Sequence, residues 1–225
     1  MAGPVWADND PADAALAADN CAALLRDLAG VASSRHPPTL DDVRDWHRRI
    51  YTGCHPPVAC YVGNFRGDAR HPELVDHKVG VGMLALDGLP EKVGMWSHDL
   101  APHVRRFEHG LQRAVAVLDQ RLPVGERPVT VDELDAVVRL IAEVHGEWVR
   151  LHPFVNGNGR TARMWAAFVS LRYGLPVFVQ LKPRPGDVAY ARAAKRSMGR
   201  PPDFVGDHGH AVAVFAHLLN LALLP

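Results

Sequence analysis

The sequence predicts a mostly α-helical domain with one small β-hairpin, and three observations lead to this prediction. Apolar residues recur at helical spacing along most of the chain. Capping residues precede several of these segments, and glycine or proline follows them. The exception is the stretch from residue 52 to about 102, where two short alternating runs flank the turn dipeptide Asp87-Gly88.

The first helix is expected over residues 12–28, with Gly30 as its stop. The second is expected over residues 40–51, where Thr39 is the N-cap, acidic residues occupy the first turn and arginines the last. A capping box formed by Thr130 and Glu133 predicts the start of a long helix at residue 131. Further helices are expected over residues 103–121, 131–150, 160–173, 186–198 and 207–224.

The composition is typical of a folded protein, and the formal net charge is zero. Of 225 residues, 48% are apolar, which is enough to bury a sizeable core. Lys plus Arg and Asp plus Glu number 25 each, so no overall charge attracts nucleic acid or an anionic membrane. The apolar runs are shorter than the roughly 20 residues that cross a bilayer, and the acidic start is unlike a signal peptide. We expect a cytoplasmic protein with no membrane and no nucleic-acid partner, a helical extension at residues 1–38 and the main domain at 39–225.

The segment with the clearest chemical content lies at residues 151–163 and reads L-H-P-F-V-N-G-N-G-R-T-A-R. The proline after His152 ends the preceding helix. Gly157 and Gly159, on either side of Asn158, permit positive φ and a close backbone approach. Successive N–H groups at the start of the next helix can therefore converge on an anion. This pattern predicts a phosphate-binding loop.

Two arginines and one histidine extend this predicted site. Arg160 and Arg163 are three residues apart, which places both on one face of the first helical turn. Paired guanidinium groups suit a multiply charged anion such as a nucleoside triphosphate. His152 has an ordinary pKa of about 6.5, which suits a general base. Phe154 is expected to be the buried anchor of the loop.

These residues together resemble the signature of the Fic domain proteins, H-P-F-x-(D/E)-G-N-G-R-x-x-R. The match is residue for residue at 152–154, 157–160 and 163, and G-N-F-R at 63–66 resembles the family's G-x-(F/Y)-R segment. The resemblance covers residues 39–219. It implies a Fic-type helical domain whose hairpin flap, running from Lys78 to Trp96, docks the target protein as an added strand.

The resemblance also implies a protein adenylyltransferase, bacterial and toxin-like or regulatory, that moves AMP from ATP to a Ser, Thr or Tyr hydroxyl. His152 would be the general base. Arg163 would reach the γ-phosphate. The α- and β-phosphates would be held by the remaining motif residues, which are Gly157, Asn158, Gly159 and Arg160.

Asn156 departs from the family pattern, which has Asp or Glu at this position to hold magnesium. A neutral amide oxygen is a weaker ligand for a hard cation, so we expect Asn156 to bind magnesium weakly and activity to be retained but reduced. Two alternatives stay open. One is another nucleotidyl or phosphoryl transfer, although Gly159 argues against the kinase-like members, which typically carry lysine there. The other is a nucleotide-binding module without catalysis.

The control of activity is a second point of departure. Many members carry an inhibitory helix with the pattern S/T-x-x-x-E-G/N, whose glutamate pairs with the second motif arginine, here Arg163. Neither terminal region of this sequence contains that pattern. We therefore expect either a separate antitoxin chain or no inhibitor.

Overall fold

A computed structural model describes residues 3–6, 10–81 and 92–224, and eight α-helices lie within these ranges. The predicted mostly helical fold is therefore confirmed. No helix in the described ranges is both long enough and apolar enough to cross a membrane. In chain order the helices are α1 Pro11–Ser33, α2 Leu40–Ile50, α3 Pro72–Val75, α4 Ser97–Arg121, α5 Val131–Leu151, α6 Asn158–Arg172, α7 Val188–Ser197 and α8 Gly209–Leu223, with a 3-10 turn at Ala59–Tyr61.

Two short strands lie between α3 and α4. Strand β1 (Gly80–Val81) pairs antiparallel with β2 (Lys92–Val93), and Gly80 lies opposite Val93. The turn predicted at residues 87–88 lies outside the described residues. The complete hairpin flap therefore stays a prediction.

The core is centred on α5 and α6, which pack against each other along their lengths. Trp148 of α5 and Trp165 of α6 are fully buried, and their ring centroids lie 6.0 Å apart. Trp46 of α2 packs edge-on against Trp165 at 4.6 Å. Trp148 Nε1 also donates to Thr161 Oγ1 at 2.8 Å, which ties the two helices together next to their connecting loop. This packing holds the loop at residues 152–157 in a defined position.

The first helix is longer than predicted, because Gly30 lies inside it rather than ending it. Asp10 caps its start by accepting from the N–H groups of Ala12 and Asp13. Beyond Gly30, the side chain of Ala32 is fully buried, so tertiary packing continues the helix past the glycine. The helix packs on α2 and α6. The division of the chain at residue 38 stays a prediction.

Other helix boundaries follow the sequence signals closely, with one exception. The capping box at Thr130 is present as predicted, and Thr39, predicted as an N-cap, forms a capping box with Asp42. Helix α4 begins at Ser97, six residues before the expected start, and it contains Pro102 near its N-terminus. Pro102 cannot donate a helical hydrogen bond, but Leu100 in the first turn is fully buried, so packing of this turn outweighs that loss and favours the earlier start.

Candidate active site

His152 ends α5 in the left-handed conformation, with φ 51°. Its backbone N–H donates to Trp148 O at 3.0 Å. A side chain other than glycine is strained in this region by about 1 kcal/mol or more, so surrounding contacts must hold it there. The carbonyl of His152 receives two hydrogen bonds from Arg66, at 2.9 and 2.7 Å. These contacts stabilise the turn that carries the predicted base.

The imidazole of His152 is held in one tautomer. Its Nδ1 lies 2.9 Å from Val149 O, and because a carbonyl oxygen only accepts, Nδ1 carries the proton. In the neutral ring Nε2 therefore has the lone pair. Burial lowers the pKa of His152 to about 4, so the ring is neutral at pH 7. The geometry is that of a general base with Nε2 as the accepting atom.

Arg66 is a buried cation that joins three segments of the chain. Besides His152 O, its guanidinium donates to His77 O at 2.9 Å, before β1, and to Met95 O at 2.8 Å, after β2. Burial lowers the pKa of Arg66 to about 9, which leaves it charged at neutral pH. The base of the two strands is thereby fixed to the loop of His152. The G-N-F-R resemblance marked this residue in the sequence but gave it no role.

Arg66→Met is expected to lower the free energy of unfolding by about 3 kcal/mol or more, because buried carbonyls of three segments lose their donor. Urea unfolding monitored by circular dichroism measures this. The matched control is Arg70→Met, whose guanidinium pairs with Asp68 at the surface at 2.7 Å. That change should cost less than about 1 kcal/mol. Equal losses in the two variants would show that Arg66 does not join the segments as described.

Gly94, the residue after strand β2, lies directly against the predicted base. A Cβ atom on Gly94 would lie 2.6 Å from His152 Cβ and 3.0 Å from Val79 Cγ2, so only glycine fits here. Gly94 N–H donates to Val79 O at 3.0 Å, which continues the pairing of β1 and β2 by one residue. The sequence did not single out this glycine.

Phe154 is fully buried and stacks on His47, with ring centroids 3.8 Å apart. His47 Nδ1 accepts from Gly63 N–H at 3.0 Å, so His47 Nε2 donates to Asn156 O, also at 3.0 Å. Burial lowers the pKa of His47 to about 3. His47 thus holds the loop by stacking on Phe154 and by its hydrogen bond to Asn156 O. The sequence pattern of α2 gave no sign of that role.

The asparagine between the two glycines packs inward. Asn158 is buried, and its side chain accepts from Phe154 N–H and donates to Phe154 O, both at 2.8 Å. Gly157 has φ +80°, and a Cβ there would approach Tyr51 Oη within 2.8 Å. The amide of Asn158 thus shapes the loop. An anion at this end of α6 would meet the first-turn backbone N–H groups, which have no acceptor within the helix.

The two motif arginines are held by aromatic hydroxyls. Arg160 donates to Tyr51 Oη, and its guanidinium lies over that ring. Arg163 is mostly buried and donates to Leu181 O at 3.0 Å and to Tyr190 Oη at 3.4 Å. Tyr190 Oη is also hydrogen-bonded to His145 Nε2, which lies 2.8 Å away. This chain of hydrogen bonds orients Arg163.

A cavity of about 680 Å³ brings most of these residues together. It is lined by every predicted site residue except the buried anchor Phe154. Several further lining residues were not predicted from the sequence. Among them are Val5 and Trp6 from the N-terminal segment, and Lys182 and Arg184 from the loop after Leu181. They come from distant parts of the chain and share no sequence pattern with the motif.

Asn156 was expected to be a weak magnesium ligand, and its contacts bear on that expectation. Its Nδ2 donates to Trp6 O at 2.8 Å, and its Oδ1 accepts from Gly157 N–H at 2.5 Å. No carboxylate lines the cavity within the described ranges, and those ranges contain no group of three or more His, Cys, Asp or Glu arranged for a metal. Magnesium prefers carboxylate oxygens, so the described residues do not fit a magnesium ion held by the protein.

The chain is similar to proteins of one known family. The model of the Fic/DOC family matches residues 37–170. Protein adenylyltransferase fic-1 of Caenorhabditis briggsae is 27% identical over 171 residues, and the match covers 73% of this chain. The chain spans only 24% of that relative's length.

The fold has a counterpart among solved structures. The crystal structure of a Fic domain containing signaling protein from Bacteroides thetaiotaomicron matches 96% of this chain and 69% of its own, with a TM-score of 0.61 and 18% identity. The shared fold and the family match over more than half of the sequence lead to one conclusion: this chain belongs to the Fic/DOC family.

Proposed function

We propose that this protein is a nucleotidyltransferase that moves AMP from ATP to a Ser, Thr or Tyr hydroxyl of a target protein. The observation that carries the proposal is the neutral ring of His152, with its Nε2 lone pair, in one cavity with the start of α6 and two motif arginines. A base and a phosphate site in one cavity are what this transfer needs.

In the proposed reaction Nε2 of His152 takes the proton of the target hydroxyl. The hydroxyl oxygen forms a bond to the α-phosphorus, the bond from that phosphorus to the bridging oxygen breaks, and pyrophosphate leaves. The backbone at Gly157–Gly159 and Arg160 would hold the α- and β-phosphates, and Arg163 the γ-phosphate. The proton remains on His152 until it passes to solvent.

The low pKa of His152 in the free protein is compatible with this role. Burial favours the neutral ring, and the positive charge of Arg66 also disfavours protonation. A bound triphosphate adds negative charge nearby, which favours the imidazolium and so raises the pKa. The base therefore gains strength when ATP is in place.

The target is proposed to bind along the flap, residues 78–96, as an added strand. Gly94 supports this, because the end of the flap after β2 lies so close to His152 that a strand added to the flap would bring its side chains near the base. The second candidate function is nucleotide binding without transfer. It is favoured by the two hydrogen bonds of the Asn156 amide, which replaces the metal-binding acid.

The test uses purified protein, a bacterial lysate and ATP labelled at the α- or the γ-phosphate, with gel autoradiography. We expect label on a protein band from the α position only. Label from the γ position would indicate phosphoryl transfer instead. ATP binding without any transfer would favour the second candidate.

A further inference from the structure

The charge of the active-site cavity is an observation separate from the motif. Besides Arg160 and Arg163, the cavity is lined by three cationic side chains that no motif contains: Lys78, Lys182 and Arg184. No aspartate or glutamate lines it within residues 3–6, 10–81 and 92–224. A divalent cation brought into such surroundings meets repulsion rather than ligands.

The loop that carries two of these cations is attached to the motif. Leu181 O accepts from Arg163 Nε at 3.0 Å, and Lys182 follows immediately in the chain. Lys182 is half-buried at the cavity wall, and Arg184 is exposed at its rim. The hydrogen bond at Leu181 places the loop beside the arginine proposed to meet the γ-phosphate.

Asn156, at the position where the family pattern has a metal-binding acid, is engaged in hydrogen bonds to the protein. Both ends of the Asn156 amide are hydrogen-bonded, one to the N-terminal segment through Trp6 O and one to the backbone of the loop. Trp6 itself is mostly buried and packs on Tyr51, with ring centroids 4.5 Å apart. The amide of Asn156 therefore connects the N-terminal segment to the phosphate loop by hydrogen bonds.

We propose that ATP binds to this cavity without a magnesium ion held by the protein, and that the loop of Lys182 and Arg184, together with Lys78, supplies the positive charge in its place. The inference rests on the proposed function, since it takes ATP as the ligand. The charged ammonium group of lysine and the hydrogen-bonding guanidinium group of arginine both neutralise the negative charge of the triphosphate and of the leaving pyrophosphate.

Isothermal titration with ATP tests the proposal, in excess EDTA and in excess magnesium chloride at matched ionic strength. Matched ionic strength is needed because salt screens the attraction between charges. We expect the two dissociation constants to agree within about threefold, which corresponds to at most about 0.7 kcal/mol. Binding at least about tenfold tighter with magnesium would overturn the inference while leaving the proposed function in place.

Two variants sharpen the result. Lys182→Gln should weaken ATP binding in EDTA by about tenfold, the effect of losing one close charge contact. The control Arg139→Gln removes an exposed cation of α5 that pairs with Asp135 outside the cavity, and it should leave binding unchanged. Equal affinities for these two variants would overturn the role of the loop.

Asn156→Asp provides the opposite change, because it adds the carboxylate that magnesium prefers. In this variant, magnesium should tighten ATP binding by about tenfold relative to EDTA. Comparing the two buffers within one variant cancels any structural effect of losing the bond to Trp6 O. A variant as indifferent to magnesium as the parent would contradict the proposal. Absence of ATP binding by the parent in both buffers would instead overturn the proposed function itself.

Discussion

His152→Ala is expected to lower the rate of α-label transfer by about 10²- to 10⁴-fold, the usual contribution of a general base. The affinity for ATP should change by less than about threefold, because the phosphates are proposed to meet the start of α6 and the motif arginines instead. A rate loss without an affinity loss is the signature of an interaction used only in the transition state. Single-turnover transfer and calorimetric ATP binding measure the two quantities.

The control for this prediction is a second histidine in the same cavity. His77 lines it, and burial lowers the pKa of His77 as well. Its Nδ1 is buried and has no hydrogen-bond partner in the described part of the chain. His77→Gln should keep the rate within about tenfold of the parent, since no contact presents His77 as the base. A reversed pattern, with transfer lost in His77→Gln and kept in His152→Ala, would assign the base to His77.

The second large effect is loss of stability in weak acid. Three histidines are neutral at pH 7: the buried His47 and His145, with pKa lowered to about 3, and His152 at the cavity wall, with pKa lowered to about 4, in each case chiefly by desolvation. Neighbouring guanidinium groups further disfavour their protonation, Arg160 at His47, Arg163 at His145 and Arg66 at His152.

The sign follows from proton counting. In the unfolded chain these rings titrate near 6.5, so between pH 6.5 and 4 the unfolded state binds more protons than the folded state. The free energy of unfolding therefore falls as the pH is lowered through this window. Each histidine contributes about 2 kcal/mol of loss between pH 7 and 5, or roughly 6 kcal/mol for three. That is a large fraction of the 5–15 kcal/mol typical of a folded domain.

Urea unfolding at pH 7, 6 and 5 measures this loss. His145→Gln keeps a side chain that can both donate to and accept from Tyr190 Oη, and it removes one titrating ring, so it should reduce the pH dependence by about a third. The control His98→Gln, at an exposed position of α4, should leave the pH dependence unchanged. A free energy of unfolding that stays constant from pH 7 to 5 would mean that the buried rings protonate without cost.

Much of the helical architecture was readable from local signals. The N-cap at Thr39 and the capping box at Thr130 act within one helical turn, and so does the stop imposed by the proline after His152. The motif residues at 152–163 likewise lie within about three turns of chain, so their spacing alone predicts that they meet. The end of α1 was predicted wrongly, because burial of Ala32 outweighs the weak helix preference of Gly30.

The tertiary structure alone decided how the site is held and what charge surrounds it. Arg66 and His152 are 86 residues apart, and Trp6 and Asn156 are 150 apart, so no local rule connects them. Lys182 enters the cavity because Leu181 O bonds to Arg163. The sequence determined the helices and the motif, because those depend on neighbours a few residues away. The contacts that fix the base, use the amide of Asn156 and make the cavity cationic depend on packing between distant segments.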